Sequence, residues 1–213
     1  MKIEVAGEEL ELLPERAVYW HRRGTLFLSD PHWGKAATLR VNSIPVPMGG
    51  TADDLERLTR AVEKTQCRRI VLLGDALHAR AGRTDRTMRA LAEWRTAHPF
   101  PDFLLVRGNH DTKAGDPPPE MRILCVNEPV VEGPFVFLHR PVKNVLGYAL
   151  AGHIHPAVKL RGPGKSRATL PCFWFTKHVA TLPAFGSFCG RFVISPAPSD
   201  SVYVVAEDEV LAV

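Results

Sequence analysis

The sequence has few cysteines and no long hydrophobic run. Its 213 residues include 4 Cys, and the aliphatic stretches are short and interrupted by polar residues, which is not the pattern of a membrane-spanning chain. The cysteines are widely spaced and form no C-x-x-C pair: Cys67, Cys125, Cys172 and Cys189. They are therefore predicted to be reduced core thiols rather than disulfides or zinc ligands, which indicates a reducing cytoplasm.

Other absences limit the possibilities further. Acidic residues within Met1–Glu9 stand where a secretory signal needs an apolar stretch, so secretion is not expected. No repeat, linker or long basic run is found, so any surface for a polyanion must be assembled by the fold. The formal charge of +4 agrees only weakly with such a partner. With 45% hydrophobic residues, the chain is predicted to form one globular domain, residues 1–213.

The first half alternates between apolar runs and amphipathic segments. Thr25–Asp30, Arg69–Asp75 and Phe103–Gly108 are continuous apolar runs that end in polar residues, which is typical of buried strands. Helices are predicted between them, at Thr51–Thr65 and Thr84–Ala97. This β-α-β-α-β order favours parallel strands with right-handed crossovers, and a site at their carboxyl ends.

The second half contains strand-like segments without a clear helix between them: Phe135–Leu138, Tyr148–Ala151, Phe192–Ile194 and Ser201–Val205. They predict a second, largely antiparallel sheet. Gly162–Ser166 and Pro196–Ser199 are typical of turns, and Gly115–Pro119 of a rigid surface loop. The predicted fold class is therefore α/β, a four-layer αββα sandwich in which two mixed β-sheets are flanked by helices.

Five short motifs carry the side chains that can do chemistry: Asp30-Pro31-His32, Gly74-Asp75, Gly108-Asn109-His110-Asp111, His139 and Gly152-His153-Ile154-His155. Any one of these histidines alone is more often a satisfied core or surface residue. Together the motifs supply enough imidazole, carboxylate and amide groups for two divalent ions, and most of them follow an apolar run. The ordered series therefore indicates a metal centre.

Local geometry can be predicted for some of these groups. Pro31 fixes its own φ and is expected to hold Asp30 in an extended conformation, from which Asp30 and His32 turn towards one ion. His153 and His155 are alternate residues, so both would face the same side of a regular strand. A neighbouring glycine, Gly152, would let the backbone approach closely.

The longer motif predicts a ligand beside a catalytic group. The amide oxygen of Asn109 can bind an ion while the imidazole of His110 points elsewhere, held by the carboxylate of Asp111. Asp75 follows its strand in a similar way and could bridge two cations, one through each carboxylate oxygen.

The series resembles the calcineurin-like metallophosphoesterase superfamily over residues 30–155. The resemblance implies that one ion binds Asp30, His32, Asp75 and His155. It implies that the other binds Asp75, Asn109, His139 and His153, with Asp75 as the bridge. His110 would then stabilise the transition state or protonate the leaving oxygen, and Asp111 would orient it. Pro31 departs from the apolar residue common in this family, and leaves both ligands beside it intact.

A narrower resemblance covers nearly the whole chain, and it is to the bacterial DNA ligase-associated metallophosphoesterases. It rests on Leu13–Ala17, Gly34–Arg40, Ile44–Pro47, Leu77–Arg80 and Leu170–Phe175. It implies a manganese-dependent phosphodiesterase or endonuclease that acts on single-stranded or damaged DNA in the DNA damage response, in functional association with a ligase and a helicase. Arg140 departs from the family, where a second histidine commonly follows the one at His139.

The mechanism implied by the resemblance agrees with the charges of the motifs. Two divalent ions carry four positive charges and Asp30 and Asp75 neutralise two, so the site stays attractive to phosphate. A hydroxide that bridges the ions would attack the phosphorus in line. The resemblance favours Mn2+, and the oxygen and nitrogen ligands are also compatible with iron, zinc or magnesium. The alternatives are a phosphatase for small monoesters or cyclic nucleotides and, outside enzymes, a non-catalytic scaffold.

Basic residues follow several of the motifs and could hold flanking phosphates: Lys35, Arg40, His78, Arg80, Arg83 and Lys113. For each of them a solvated basic surface is an equally good interpretation. Trp33 could stack on a base, although an aromatic residue beside a strand end is more often part of the packing.

Overall fold

Two mixed β-sheets pack face to face in the computed structural model, which describes residues 1–143, 145–161 and 167–213. The turn predicted at Gly162–Ser166 lies outside the described residues. The first sheet has seven strands in chain order: β1 (Lys2–Val5), β2 (Glu8–Leu13), β3 (Ala17–Trp20), β4 (Thr25–Leu28), β5 (Arg69–Leu73), β6 (Asp102–Val106) and β7 (Ile123–Val126). Strands β1 to β4 pair antiparallel and β4 to β7 pair parallel, which confirms the predicted parallel unit.

The second sheet is built from the later strands: β8 (Val130–Glu132), β9 (Phe135–Phe137), β10 (Tyr148–Ala151), β11 (Pro156–Arg161), β12 (Arg167–Phe175), β13 (Val179–Thr181), β14 (Phe192–Val193), β15 (Ser201–Ala206) and β16 (Glu209–Ala212). Its order is β14-β11-β12-β13-β10-β9-β8, with β15 paired to β12 and β16. Antiparallel pairs prevail, as predicted, but β10 is parallel to β9 and β13, and β11 is parallel to β14. The α/β class with two mixed sheets is thus confirmed.

The α-helices of the described residues all come before β7: α1 (Lys35–Val41), α2 (Gly50–Thr65), α3 (Asp85–Ala97) and α4 (Asp111–Ala114). Helices α2 and α3 agree with the prediction to within one residue at each end, and the Thr84 hydroxyl caps α3 by accepting from the Thr87 N–H at 3.3 Å. Helix α1 was not predicted. None of these helices is long and apolar enough to cross a membrane.

Both faces of the parallel strands are buried. On one face, Leu58 of α2 and Leu91 of α3 pack against Leu72 and its neighbours. On the other face, Phe27 packs against Phe137 of the second sheet. Continuous apolar strands are the pattern expected when two layers cover a parallel sheet.

The outer face of the second sheet is covered differently. Val136, Leu138 and Val179 form a small cluster there, and Val145, from the segment after β9, packs against it. Among the described residues no α-helix follows Ala114, so helices flank only the first sheet in this part of the chain.

The parallel strands bring the motifs to one edge of the sandwich. Strands β4, β5 and β6 end at the same edge of the first sheet, and β9 and β10 run parallel in the second. A parallel bridge between Ser29 and Ala184 joins the chain just after β4 to the chain just after β13. The site edge is therefore also a place where the two sheets are linked.

The contact between the sheets generates a stability prediction. Phe27 and Phe137 are both fully buried, and their ring centroids are 4.9 Å apart. Because truncation leaves a cavity between two packed sheets, Phe137→Ala should lower the free energy of unfolding by about 3–5 kcal/mol in denaturant titrations. Leu146→Ala is the control, since Leu146 is 96% exposed, and it should change this quantity by less than about 0.5 kcal/mol. Equal effects of the two substitutions would contradict the packing described here.

Candidate metal centre

The motif residues meet where the strands end. Asp30 and His32 follow β4, and Asp75 follows β5. Asn109 and His110 come after β6, His139 comes after β9, and His153 and His155 lie between β10 and β11. Strand order thus brings side chains from distant parts of the sequence into one cluster.

The backbone at these positions is left-handed, which corrects two predictions. Positive φ angles occur at five of the candidate ligands: Asp30 (51°), His32 (47°), Asp75 (54°), His153 (71°) and His155 (52°). The prediction that Pro31 holds Asp30 extended is wrong, because the loops bind each other: the Asp30 N–H donates to the Gly74 carbonyl at 3.2 Å. The same-side arrangement expected of His153 and His155 on a regular strand does not apply either, since both residues lie outside the strands at positive φ. Such conformations persist only where surrounding contacts fix them.

Two motif glycines allow these loops to approach closely, as predicted for Gly152. A Cβ added at Gly152 would collide with the Asp30 carboxylate and the Ser29 side chain. A Cβ at Gly108 would collide with the carboxylate and the backbone nitrogen of Asp75. The acidic side chains are therefore packed directly against backbone.

One group of ligand atoms surrounds the His139 imidazole. Its Nδ1 lies 3.1 Å from the Leu73 carbonyl, so this nitrogen donates and Nε2 keeps a free lone pair in the neutral ring. That Nε2 lies 3.0 Å from Asn109 Oδ1, 3.0 Å from His153 Nδ1 and 3.4 Å from Asp75 Oδ2. Atoms with lone pairs that converge in this way suit a shared cation.

A second group adjoins the first and uses the same Asp75 oxygen. His32 Nε2 lies 3.8 Å from Asp75 Oδ2, and His155 Nε2 lies 3.5 Å from Asp30 Oδ1. Asp30 is fully buried, and Oδ1 has no hydrogen-bond partner among the described residues, whereas Oδ2 accepts from the His153 N–H at 2.8 Å. A buried carboxylate oxygen without a partner is costly unless a cation binds it. The residues present therefore fit a pair of metal ions.

The span of this cluster coincides with a known family. The family model for the calcineurin-like phosphoesterases matches residues 25–155, from the first residue of β4 to the last candidate ligand, His155. The chain belongs to the calcineurin-like phosphoesterase family. It is therefore a metal-dependent phosphoesterase, and the resemblance found in the sequence is confirmed.

Two solved structures show how similar this phosphoesterase is to others. The crystal structure of the Pseudomonas putida nuclease MPE is 38% identical, covers 100% of this chain and 99% of its own, and has a TM-score of 0.89. Yfce, a phosphoesterase from E. coli, is 15% identical over 87% of this chain and 90% of its own, with a TM-score of 0.40. No curated protein sequence matches the chain.

Burial shifts the pKa of three candidate ligands, His32, His153 and Asp75. It lowers the pKa of His32 well below its ordinary value, and the charge of Lys35 lowers it further. Burial and the neighbouring His139 likewise lower the pKa of His153, while burial raises the pKa of the Asp75 carboxyl. Neutral imidazoles keep the lone pair that a metal ion needs, so the phosphoesterase presents these histidines ready to bind.

The imidazole of His110 is oriented by a backbone carbonyl, which corrects the role predicted for Asp111. His110 Nδ1 lies 2.6 Å from the His78 carbonyl. The Asp111 carboxylate instead accepts from the N–H groups of Asp75 at 2.7 Å, Gly108 at 2.8 Å and Leu77 at 3.4 Å. Asp111 is 1% exposed, and burial raises the pKa of its carboxyl to about 6. It therefore positions the two metal-site loops and does not hold the His110 ring.

His78 and Lys35, two of the residues predicted to hold flanking phosphates, lie beside the cluster. His78 Nδ1 is 3.3 Å from His32 Nδ1, and the His78 ring stacks on His110 with centroids 4.8 Å apart. Burial, followed by the charge of Lys35, lowers the pKa of His78 to about 4. The His78 side chain thus contacts a candidate ligand, while its carbonyl holds the candidate catalytic histidine.

Three of the other basic residues proposed to hold phosphates donate from their side chains to main-chain carbonyls. Arg40 donates to the Pro47 carbonyl at 3.0 Å, and Arg83 donates to the Asp116 carbonyl at 2.7 Å. Arg80 donates to the Lys113 carbonyl at 3.2 Å, and both residues are exposed. Trp33 is 1% exposed in the core, so packing is its role and it cannot stack on a base.

Sequence reasoning missed a cysteine at this centre. The Cys189 thiol lies with His32 and His155 in a group of potential ligands, and its Sγ is 3.6 Å from the Asp30 carbonyl oxygen. Burial raises the pKa of this thiol to about 12, so it stays protonated and uncharged. Nothing in the spacing of the cysteines indicates this position, which comes from the fold.

The close packing at Gly152 generates a prediction for metal binding. Gly152→Ala should displace the Asp30 carboxylate and lower the content of bound metal, measured by elemental analysis after dialysis against Mn2+. The control is Gly190→Ala, because a Cβ at Gly190 has nothing within 4 Å although its carbonyl lies 3.2 Å from His155 Nδ1. The control should keep the wild-type metal content. Full metal content in Gly152→Ala would contradict the packing argument.

Proposed function

We propose that this phosphoesterase is a dinuclear nuclease that hydrolyses phosphodiester bonds in single-stranded or damaged DNA. The observation that carries the proposal is a pair of adjoining ligand groups that share Asp75, with the His110 ring 4.8 Å from the His32 ring between centroids. The similarity over the whole chain to a nuclease supports the choice of a nucleic acid as the substrate.

The ligands divide as the distances suggest. One ion would bind Asp30, His32, Asp75 and His155. The other would bind Asp75, Asn109, His139 and His153. The mixed oxygen and nitrogen donors suit Mn2+, which the family resemblance favours, and also iron, zinc or magnesium.

The protein's own groups determine how a phosphodiester is held and cleaved. Two bound divalent ions supply Lewis-acid polarisation of the phosphate oxygens and an activated water for in-line attack. His110 Nδ1 donates to the His78 carbonyl, so Nε2 is the ring nitrogen left for the substrate, and as a general acid it would pass a proton to the leaving oxygen. The Lys35 ammonium, close enough to lower the pKa of His32, adds positive charge for the phosphate.

The biological setting that we propose follows the narrower family resemblance. The nuclease would act in the DNA damage response in the cytoplasm, in functional association with a DNA ligase and a helicase. The reduced thiols predicted from the sequence agree with this compartment, and all four cysteines are free in the structure.

Metal removal tests the reaction class. A metal-stripped sample should cleave single-stranded DNA and bis(p-nitrophenyl) phosphate at a small fraction of the rate reached after Mn2+ is added back. A monoester, p-nitrophenyl phosphate, should give a lower kcat/KM than the diesters, because a nuclease centre must accept phosphate substituted on both sides. Equal rates with and without metal would refute a metal nuclease, and a preference for the monoester would favour a phosphatase.

Two substitutions separate ligand from catalytic residue. Asp75→Asn should reduce metal content and activity together, because this side chain is shared by both ligand groups. His110→Ala should keep both ions and lose about 10²–10⁴-fold in kcat, the usual contribution of a general acid. His178→Ala, an exposed imidazole just before β13, is the control and should leave both quantities unchanged. Comparable metal loss in His110→Ala would show that His110 is a ligand.

A further inference from the structure

A cavity of about 250 Å³ is lined by four arginines: Arg16, Arg57, Arg60 and Arg191. Three acidic residues also line it: Glu15, Glu207 and Asp208. Glu207 and Asp208 are exposed in the turn between β15 and β16, and Glu15, whose Oε2 is buried without a hydrogen-bond partner among the described residues, lies 3.9 Å from Lys64. The arginines that line the cavity therefore outnumber its acidic residues by four to three.

Arg16 is the residue in this cavity whose charge has no partner among the described residues. It is half-buried in the turn between β2 and β3, at a positive φ of 61°, and its guanidinium makes no hydrogen bond or ion pair with the described residues. Burial, Arg57 and Arg191 lower its pKa to about 10, so it stays charged at neutral pH. A partly desolvated guanidinium next to two others is unfavourable unless an anion binds among them.

The two neighbouring arginines each donate a hydrogen bond to a main-chain carbonyl. Arg57 donates to the Phe185 carbonyl at 2.7 Å and to Asp54 Oδ1 at 2.8 Å, so Asp54 already has a cationic partner. Arg191 is exposed and donates to the Thr169 carbonyl. These contacts hold positive charge around Arg16 without satisfying its five donors.

The cavity leads towards the candidate metal ligands. A smaller cavity of about 20 Å³ shares Arg16 and Arg191 with it and is also lined by His155. His155 Nδ1 lies 3.2 Å from the Gly190 carbonyl, and Arg191 is the next residue. A polynucleotide that leaves the metal centre on this side would therefore place its next phosphate near these guanidinium groups.

We propose that Arg16 and Arg191 bind the phosphate adjacent to the scissile one in single-stranded DNA. The inference rests on the proposed nuclease function and adds a subsite to it. Arginine suits this role because its planar fork can give two parallel hydrogen bonds to one phosphate. The subsite recognises the backbone and not the bases, as expected for a protein that binds single strands irrespective of sequence.

The test compares two substrates that differ in flanking phosphates. Steady-state kinetics with Mn2+ would be measured on a single-stranded oligothymidylate and on bis(p-nitrophenyl) phosphate, which has a diester and no neighbouring phosphate. Arg16→Gln and Arg191→Gln should each raise KM for the oligonucleotide about tenfold, and should lower the slope of log KM against log salt by about 0.7. Both kinetic constants for the small diester should stay within about twofold of wild type.

The matched control is Arg68→Gln. Arg68 is exposed and stands just before β5, at the edge of the sheet opposite the metal centre, so its loss should leave KM for both substrates unchanged. Arg191→Gln decides the question if Arg16→Gln does not fold, because Arg191 is exposed and its side chain donates to a single carbonyl.

The possible failures are distinguishable. Unchanged KM for the oligonucleotide in a folded variant, while wild type cleaves it, overturns the subsite and leaves the nuclease intact. Equal losses on both substrates overturn it as well, since they would show a disturbed metal centre. If wild type with Mn2+ cleaves the small diester but not the oligonucleotide, the nuclease function itself fails, and the subsite fails with it.

Discussion

The carboxylate of Asp111 fixes the relation between the two loops on which the metal centre depends. It accepts from the N–H groups of Asp75 at 2.7 Å and of Gly108 at 2.8 Å, and so ties the end of β5 to the end of β6. Asp75 makes a further hydrogen bond between the same two loops, because its Oδ1 accepts from the His110 N–H at 2.8 Å. This leaves the Oδ2 atom of Asp75 for the ligand groups on either side. The orientation of one shared oxygen thus follows from hydrogen bonds made entirely by backbone donors.

The same arrangement explains why the centre needs cations. Buried acceptors normally have donors, and those of the loops are satisfied by backbone N–H groups. The ligand atoms that face the centre lack such donors: His139 Nε2 lies 3.0 Å from Asn109 Oδ1 and 3.0 Å from His153 Nδ1. Burial lowers the pKa of His32 and of His153, so these two imidazoles do not supply positive charge to the carboxylates. Bound metal ions would therefore supply the positive charge that the side chains of the site lack. Because the ions bind the folded state, they should raise the free energy of unfolding.

The sequence predicts the parts of this structure that depend on local pattern. Continuous apolar runs identify β4, β5 and β6, and the motif at the end of each run predicts a site at one edge, because parallel strands end together. The left-handed backbone at Asp30 and His155 could not be predicted, since contacts with other loops impose it on residues that rarely adopt it. The hydrogen-bond partners of Asp111 could not be predicted either, because two of its three donors, Asp75 and Leu77, belong to the loop after β5.

The proposed metal ligands and the arginines of the proposed phosphate subsite come from different parts of the chain. The seven residues assigned to the two ions under the proposed function all lie within residues 25–155, which the family model matches. Arg16 comes from the antiparallel hairpin before this region, and Arg191 comes from the segment leading into β14 after it. Family membership therefore accounts for how a phosphate is attacked, because the family model covers the loops at the strand ends that carry the proposed metal ligands. The proposed subsite adds recognition of a neighbouring phosphate from the flanking segments, which bring Arg16 and Arg191 to a small cavity that His155 also lines. The same metal centre can therefore act on different phosphate esters in different proteins when the charged residues around it differ.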